Sequence, residues 1–360
     1  MNIYILGAFL LSLTCGAVFT PVIINYCKRK KLYDLPNERK VHKNAVPRLG
    51  GISFFPSMIV SFAVCLLIIS SNNVMEHPFN IWSASYLAGL SIMYVVGTID
   101  DLIGLNAKNK FVAQICAAAM LPMSRLYINN LYGLFGIHEI PAFVGIPLTI
   151  FVIVFIVNAI NLIDGIDGLA GCISVLALAG FMTYFIHYGV FRNTYTILTA
   201  GMIGALIAFL YYNIFGSCEK NTKIFMGDSG SLSLGFTLGF LAIKSTMDVD
   251  IIWPYRPEAL LVPMTLLFVP SADVVRVTFF RLYHKRPLFD ADKNHIHHKL
   301  MRAGMSQHQA LLFILTYIIG ICILNANLYP VISVTTILLA DIIIYIAVNI
   351  GINFLIKRKS

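Results

Sequence analysis

The chain is 360 residues long, 58% hydrophobic and only 12% charged, with a mean hydropathy of +0.80, far more apolar than a soluble domain. Its formal charge of +9 would suggest nucleic acid in a soluble protein, but the basic residues fall between apolar runs and read as membrane topology, so no nucleic-acid partner is expected. Seven cysteines are scattered singly without Cys-x-x-Cys spacing, which implies neither a disulfide framework nor a zinc site.

Apolar windows close to the ~20 residues that a spanning helix needs fall at 3–26, 50–70, 82–99, 111–128, 141–158, 169–189, 195–213, 230–247, 258–280, 308–327 and 330–355. They predict an all-α, polytopic integral membrane protein with about eleven transmembrane helices. The first window lacks a basic leader and a good cleavage site, and is expected to be retained as a span. The fourth is the weakest, with Pro122 and Arg125 near its end. The ninth carries Pro263, Pro270 and Asp273, and should be kinked or broken. Basic residues gather in the Lys28–Arg48 loop, at Lys108 and Lys110, at Lys220 and Lys223, within 281–302 and at Lys357–Lys359. The alternate loops hold only Arg125, Arg192, Lys244 and Arg256. That asymmetry predicts an N-terminus outside, a cytoplasmic C-terminus and an odd number of spans. With no internal repeat or linker, residues 1–360 are taken as one domain.

On that topology five polar segments face the cytoplasm. The first holds Lys40, His42 and Lys43, then Pro47-Arg48-Leu49-Gly50-Gly51. The second is the acidic pair Asp100-Asp101 at the end of the third window, where adjacent like charges need a cation or basic neighbours to stay ionised together. The third, Asn158 to Leu169, is the most informative. Asn158 and Asn161 lie three apart on a helical face, Asp164 and Asp167 repeat the spacing, and Gly165 and Gly168 permit close backbone approach. Such groups are expensive in hydrocarbon and suit a hard cation with oxygen ligands. Mg²⁺ typically takes only one or two protein oxygens and completes its shell with phosphate and water.

The fourth segment is Phe225-Met-Gly227-Asp228-Ser229-Gly230-Ser231, a turn opening a helix whose N–H groups can meet phosphate and whose Phe225 can stack on a base. The fifth carries Lys293, His295, His297 and His298. With no cysteine and abundant lysine nearby, this set fits phosphate contact better than zinc. Asp273 and Arg276 are spaced for an ion pair within one helix. Asp341, in the last window, has no evident role. A membrane transporter is the competing class, but its ionisable groups belong near the bilayer midplane rather than at one edge.

These motifs, in this order and over nearly the whole chain, resemble the polyprenyl-phosphate N-acetylhexosamine-1-phosphate transferase family. Lys40–Gly51 looks like its Lys-x-His…Pro-x-x-Gly-Gly loop, Asp100-Asp101 its acidic pair, Asn158–Leu169 its Asn-x-x-Asn-x-x-Asp-Gly-x-Asp-Gly-Leu, and Phe225–Ser231 its Phe-x-Gly-Asp-x-Gly-Ser. His295-Ile296-His297-His298 is similar to the bacterial branch that loads GlcNAc-1-phosphate onto undecaprenyl phosphate, and departs from the phospho-MurNAc-pentapeptide branch, as does Pro47-Arg48-Leu49.

The resemblance implies transfer of N-acetylhexosamine-1-phosphate from a UDP-N-acetylhexosamine to undecaprenyl phosphate with release of UMP, at the cytoplasmic face of a bacterial inner membrane, to start a lipid-linked envelope polysaccharide. It implies Mg²⁺, with Mn²⁺ as the alternative, held by Asp228 and Asn161. Asp100, Asp101, His295, His297 and His298 would be catalytic. Lys40, His42, Lys43, Asn158, Asp164, Asp167, Phe225 and Lys293 would bind substrate, with Phe225 stacked on uracil. The sugar, the polymer and a homodimeric state are left open.

Overall fold

Each apolar window folds as helix in the computed structural model, which describes residues 2–34, 45–71, 79–188, 194–249, 256–287 and 294–359. In chain order the helices are α1 (Asn2–Lys30), α2 (Phe54–Ser71) after a 3-10 turn at Gly50–Ser53, α3 (Ile81–Ile103), α4 (Ala107–Met123), α5 (Ala142–Ile163), α6 (Leu169–Tyr188), α7 (Thr194–Phe215), α8 (Gly227–Thr246), α9 (Leu261–Leu266), α10 (Phe268–Tyr283), α11 (Ile296–Arg302), α12 (Gln307–Leu328) and α13 (Val334–Lys359). Two short antiparallel pairs accompany them, β1 (Tyr33–Asp34) with β2 (Val46–Pro47) and β3 (Asn130–Leu134) with β4 (Ile137–Glu139). The protein is an all-α, multi-pass membrane protein.

Among the described residues, eight helices are long and apolar enough to cross a bilayer. The other three windows differ for physical reasons. α4 is 17 residues long, with Pro122 in its last turn. α8 is rich in glycine, serine and threonine because it faces protein instead of lipid: every residue from Ser229 to Thr246 is buried. Small side chains there let α3, α5, α6 and the 3-10 turn close around it. The ninth window is broken as expected. α9 ends at Leu266 and α10 begins at Phe268, with Pro263 and Pro270 astride the break.

Packing around α8 is aromatic in its middle. Tyr86 of α3 stacks on Phe236 at 6.2 Å and tilts against Phe240 at 4.4 Å, and its hydroxyl shares a hydrogen bond with Thr237 Oγ1 at 3.0 Å. The far end of α8 is tied by buried cations. Lys244 Nζ sits 3.5 Å from the centre of the Trp82 ring. Arg256 donates to Tyr184 Oη at 2.7 Å, Ser245 O at 2.9 Å and Met247 O at 2.6 Å. The β3–β4 hairpin joins this end through Asn130 Nδ2, which donates to Asp248 Oδ2 at 2.9 Å. α13 leaves Ile343, Ile350 and Phe354 more than half exposed, an apolar surface suited to lipid.

Candidate active site

Residues 47–51 and the start of α8 are joined by backbone bonds. Phe225 N donates to Pro47 O at 2.7 Å, Gly50 N to Phe225 O at 2.9 Å and Gly51 N to Met226 O at 2.7 Å. A Cβ on Gly51 would land on the Gly230 backbone, so both positions hold the two segments in direct contact. Gly227 has φ +72°, and a Cβ there would collide with Arg48 O and lie 2.6 Å from an Asp101 oxygen.

Asp101 accepts from the backbone N–H of Asp228 at 2.8 Å and of Ser229 at 2.9 Å, one bond to each carboxylate oxygen. The anion at the N-terminus of α8 is therefore a protein carboxylate, and the amides expected to meet phosphate are already taken. Asp101 anchors α3 to α8 and also lines the cavity. Its neighbour Asp100 faces the cavity. Asp100 Oδ1 accepts from Leu105 N at 2.6 Å, and Oδ2 pairs with Lys110 Nζ at 3.2 Å. The same ammonium pairs with Asp228 Oδ2 at 2.9 Å. Asn161 Nδ2 donates to Asp228 Oδ1 at 3.0 Å and to Ser231 Oγ at 2.8 Å.

Asp164 and Asp167 lie in the turn between α5 and α6. Asp167 Oδ2 pairs with Lys223 Nζ at 2.7 Å, and Gly168 N donates to Asn213 Oδ1 at 2.6 Å. Burial, reinforced by Asp228, Asp167 and Asp101, pushes Asp164 up to about 7. The resulting cavity, of about 400 Å³, is lined by Asp34, Asp100, Asp101, Asp164, Asp167 and Asp228, with Arg48, Asn161, Asn213, Phe225, His298 and Gln307 among the others.

The three histidines separate. His298 lines the cavity. His295 Nδ1 is bonded to Asp273 Oδ2 at 2.8 Å, and Asp273 Oδ1 accepts from Ile296 N at 3.0 Å, Tyr345 Oη at 3.0 Å and Arg276 Nη2 at 2.8 Å. The expected Asp273–Arg276 pair is present, and its larger task is to hold the histidine segment. His297 is buried against Gly165. Burial and the adjacent His298 push it down to about 3, so it is neutral and packs as a wedge. Lys299 is lowered to about 8 by burial, with Arg276 nearby, and donates to Asn349 Oδ1 at 2.8 Å.

Of the sequence-predicted site residues, the structure thus brings Asp100, Asp101, Asn161, Asp164, Asp167, Phe225, Asp228 and His298 to one cavity. His295 and His297 are outside its lining, as anchor and wedge. Asn158 is also placed elsewhere. Its amide pairs reciprocally with Gln114, donating at 2.6 Å, and it joins α5 to α4 outside the cavity lining. Lys40, His42, Lys43 and Lys293 lie outside the described residues. Lys110 was missed because its charge was read only as topology; its place on the first turn of the helix that follows the acidic pair was the available signal. Asn213 offered none, since a single asparagine closing a span has many uses.

A multi-pass bundle with carboxylates of three helix ends gathered in one polar cavity defines a membrane-embedded enzyme rather than a carrier with charges at mid-depth. Residues 83–246 match the family model described as glycosyl transferase family 4, and the chain belongs to that family. It is 31% identical over 319 residues to the probable undecaprenyl-phosphate N-acetylglucosaminyl 1-phosphate transferase of Bacillus subtilis (strain 168), covering 88% of this chain and 82% of the relative. It is 27% identical over 323 residues to the undecaprenyl-phosphate alpha-N-acetylglucosaminyl 1-phosphate transferase of Escherichia coli (strain K12), covering 87% and 81%. The Yersinia pestis protein of that same name is 29% identical over 288 residues, covering 79% and 73%.

Proposed function

We propose that the protein transfers GlcNAc-1-phosphate from UDP-GlcNAc to undecaprenyl phosphate, releasing UMP, at the cytoplasmic face of a bacterial inner membrane. The observation that carries this reading is the convergence of Asp100, Asn161, Asp164, Asp167 and Asp228 on one cavity at the helix ends, where a lipid headgroup and a water-borne nucleotide can meet. The relatives in Bacillus subtilis and Escherichia coli, named for this acceptor and sugar, support it.

The cavity's charge sets its chemistry. Six aspartates face it and, among the described residues, Arg48 is the one lysine or arginine in its lining, with Lys110 and Lys223 paired to carboxylates nearby. Such a site repels a diphosphate unless a cation intervenes. Among the described residues no three His, Cys, Asp or Glu side chains cage a metal, which suits an ion that takes one or two protein oxygens. Lys110, seated between Asp100 and Asp228, shows that the place accepts positive charge. Mg²⁺ or Mn²⁺ held by Asp228, with the Asn161 amide turned over so that its oxygen replaces the nitrogen now facing Asp228, would offset the charge of the donor's phosphates.

The reacting acceptor is a phosphate monoester with a second pKa near ~6, mostly dianionic at pH 7, so removing its last proton contributes little. Alignment and charge stabilisation dominate. Asp100, at the bilayer edge, positions the acceptor headgroup. An acceptor oxygen attacks the β-phosphorus as the bond to the UMP oxygen breaks. Phe225 stacks on uracil, Asp167 lies near the base, and His298 donates to the phosphates. Incubating the purified protein with a panel of labelled UDP-sugars, undecaprenyl phosphate and Mg²⁺ should give lipid-linked sugar diphosphate and UMP, best with UDP-GlcNAc. No lipid product from any donor would overturn the function. UMP released in a single turnover without acceptor, with phospho-sugar trapped on an aspartate, would overturn direct attack.

A further inference from the structure

Asp341 is fully buried about two turns into α13, and the chemistry above does not use it. Its Oδ2 accepts from Asn325 Nδ2 of α12 at 2.8 Å, and that nitrogen also donates to Thr265 Oγ1 of α9 at 3.0 Å. The remaining acceptors of the pair, Asp341 Oδ1 and Asn325 Oδ1, are both buried without a partner. One proton on Asp341 Oδ1 resolves both, because a carboxylic acid and a primary amide can close a ring of two hydrogen bonds, N–H to O and O–H to O.

The surroundings argue for that neutral form. Among the described residues, Tyr317 and Cys322 of α12 are titratable groups close enough to feel Asp341, Thr265 of α9 is neutral, and Asp273 and Arg276 of α10 pair with each other further along α13. No cation among the described residues is bonded to Asp341, and an isolated carboxylate at this depth is costly.

Asp341, Tyr345 and Asn349 are spaced i, i+4 and i+8 and are all buried, so they form one polar stripe along α13. Tyr345 holds Asp273, the anchor of His295, and Asn349 holds Lys299 of α11. The stripe grips both ends of the segment that delivers His298. We propose that Asp341 is a positioning residue: as a neutral acid paired with Asn325, it fixes α13 against α9 and α12 so that Tyr345 and Asn349 set the histidine segment at the cavity. This rests on the reading of that cavity as the donor site.

The infrared spectrum of the purified protein at neutral pH should contain a carboxylic acid C=O band that Asp341→Asn removes. That substitution keeps an acceptor for Asn325 Nδ2 and supplies an N–H to Asn325 Oδ1, so thermal stability and KM for the sugar nucleotide should stay near the parent's. Asp341→Leu should lower the melting temperature and raise KM about tenfold, with a smaller fall in kcat; Asn325→Leu should follow it. Absence of the band overturns the proposal, as does melting that depends on Na⁺ at constant ionic strength, the mark of a carboxylate holding a cation. An Asp341→Asn variant as damaged as Asp341→Leu also overturns it. Band and melting are read without any substrate, so a failure of the donor assignment leaves them standing.

Discussion

Adjacent residues on a helix point about 100° apart, and at the end of α3 that rotation gives two aspartates different partners. Asp101 is 5% exposed with both oxygens on the α8 amides, whereas Asp100 shares Lys110 with Asp228. Asp101→Asn should therefore cost about 1–3 kcal/mol of stability and lower the melting temperature in detergent. Asp100→Asn should leave melting unchanged and remove turnover. At the proposed cation seat, Asp228→Asn should abolish Mg²⁺-dependent turnover more completely than His297→Ala, and calorimetry should show weakened Mg²⁺ affinity; equal affinity would count against the assignment. Asp164 gives a pH signature. Its folded value of about 7 lies above its ordinary 3.8, so the folded state holds this proton more tightly than the unfolded chain. The stability it contributes is full below about 4 and is lost as pH rises to about 7. Melting across that interval should fall less steeply in Asp164→Asn; identical slopes would refute the shift.

Contact between elements here depends on what is missing from side chains. At Gly51 the 3-10 turn lies on the Gly230 backbone of α8, and Gly51→Ala should destabilise by about 1–3 kcal/mol, read as a lower melting temperature with Asp101→Asn as reference. Helices were legible in the sequence because hydrocarbon demands long apolar runs, and Pro263 with Pro270 announced the break between α9 and α10. The site's membership was legible at Asp100, Asn161, Asp164, Asp167 and Asp228, where polar groups interrupt apolar surroundings. Their division of labour was not. Spacing puts Asn158 and Asn161 on one helical face, but only the packing of α4 shows that Gln114 takes the first and leaves the second to Asp228. Likewise the histidine triplet looked uniform until Asp273 claimed His295 and Gly165 admitted His297.

Across the whole molecule, most polar groups of the cavity sit where α3, α5 or α7 ends or α6, α8 or α12 begins, joined by Asp34 of β1, Arg48 before the 3-10 turn and His298 of α11, so the alternation of helix direction has gathered the helix-end groups on one side. The β3–β4 hairpin, Trp82, Lys244 and Arg256 belong to the other. Basic residues are dense in the stretches at the cavity end and sparse opposite, a pattern that supports the proposed orientation with the cavity toward the cytoplasm. The two orientations differ in one measurable respect. In a background freed of the natural cysteines, Lys108→Cys stands at the cavity end and Glu139→Cys on the hairpin, both at exposed positions. A membrane-impermeant maleimide applied to intact cells, with the outer membrane permeabilised where there is one, should label the Glu139→Cys variant and spare the Lys108→Cys variant until the inner membrane is opened. Labelling in the reverse order would put the cavity on the outer side, away from cytoplasmic sugar nucleotide, and the proposed reaction would lose its donor.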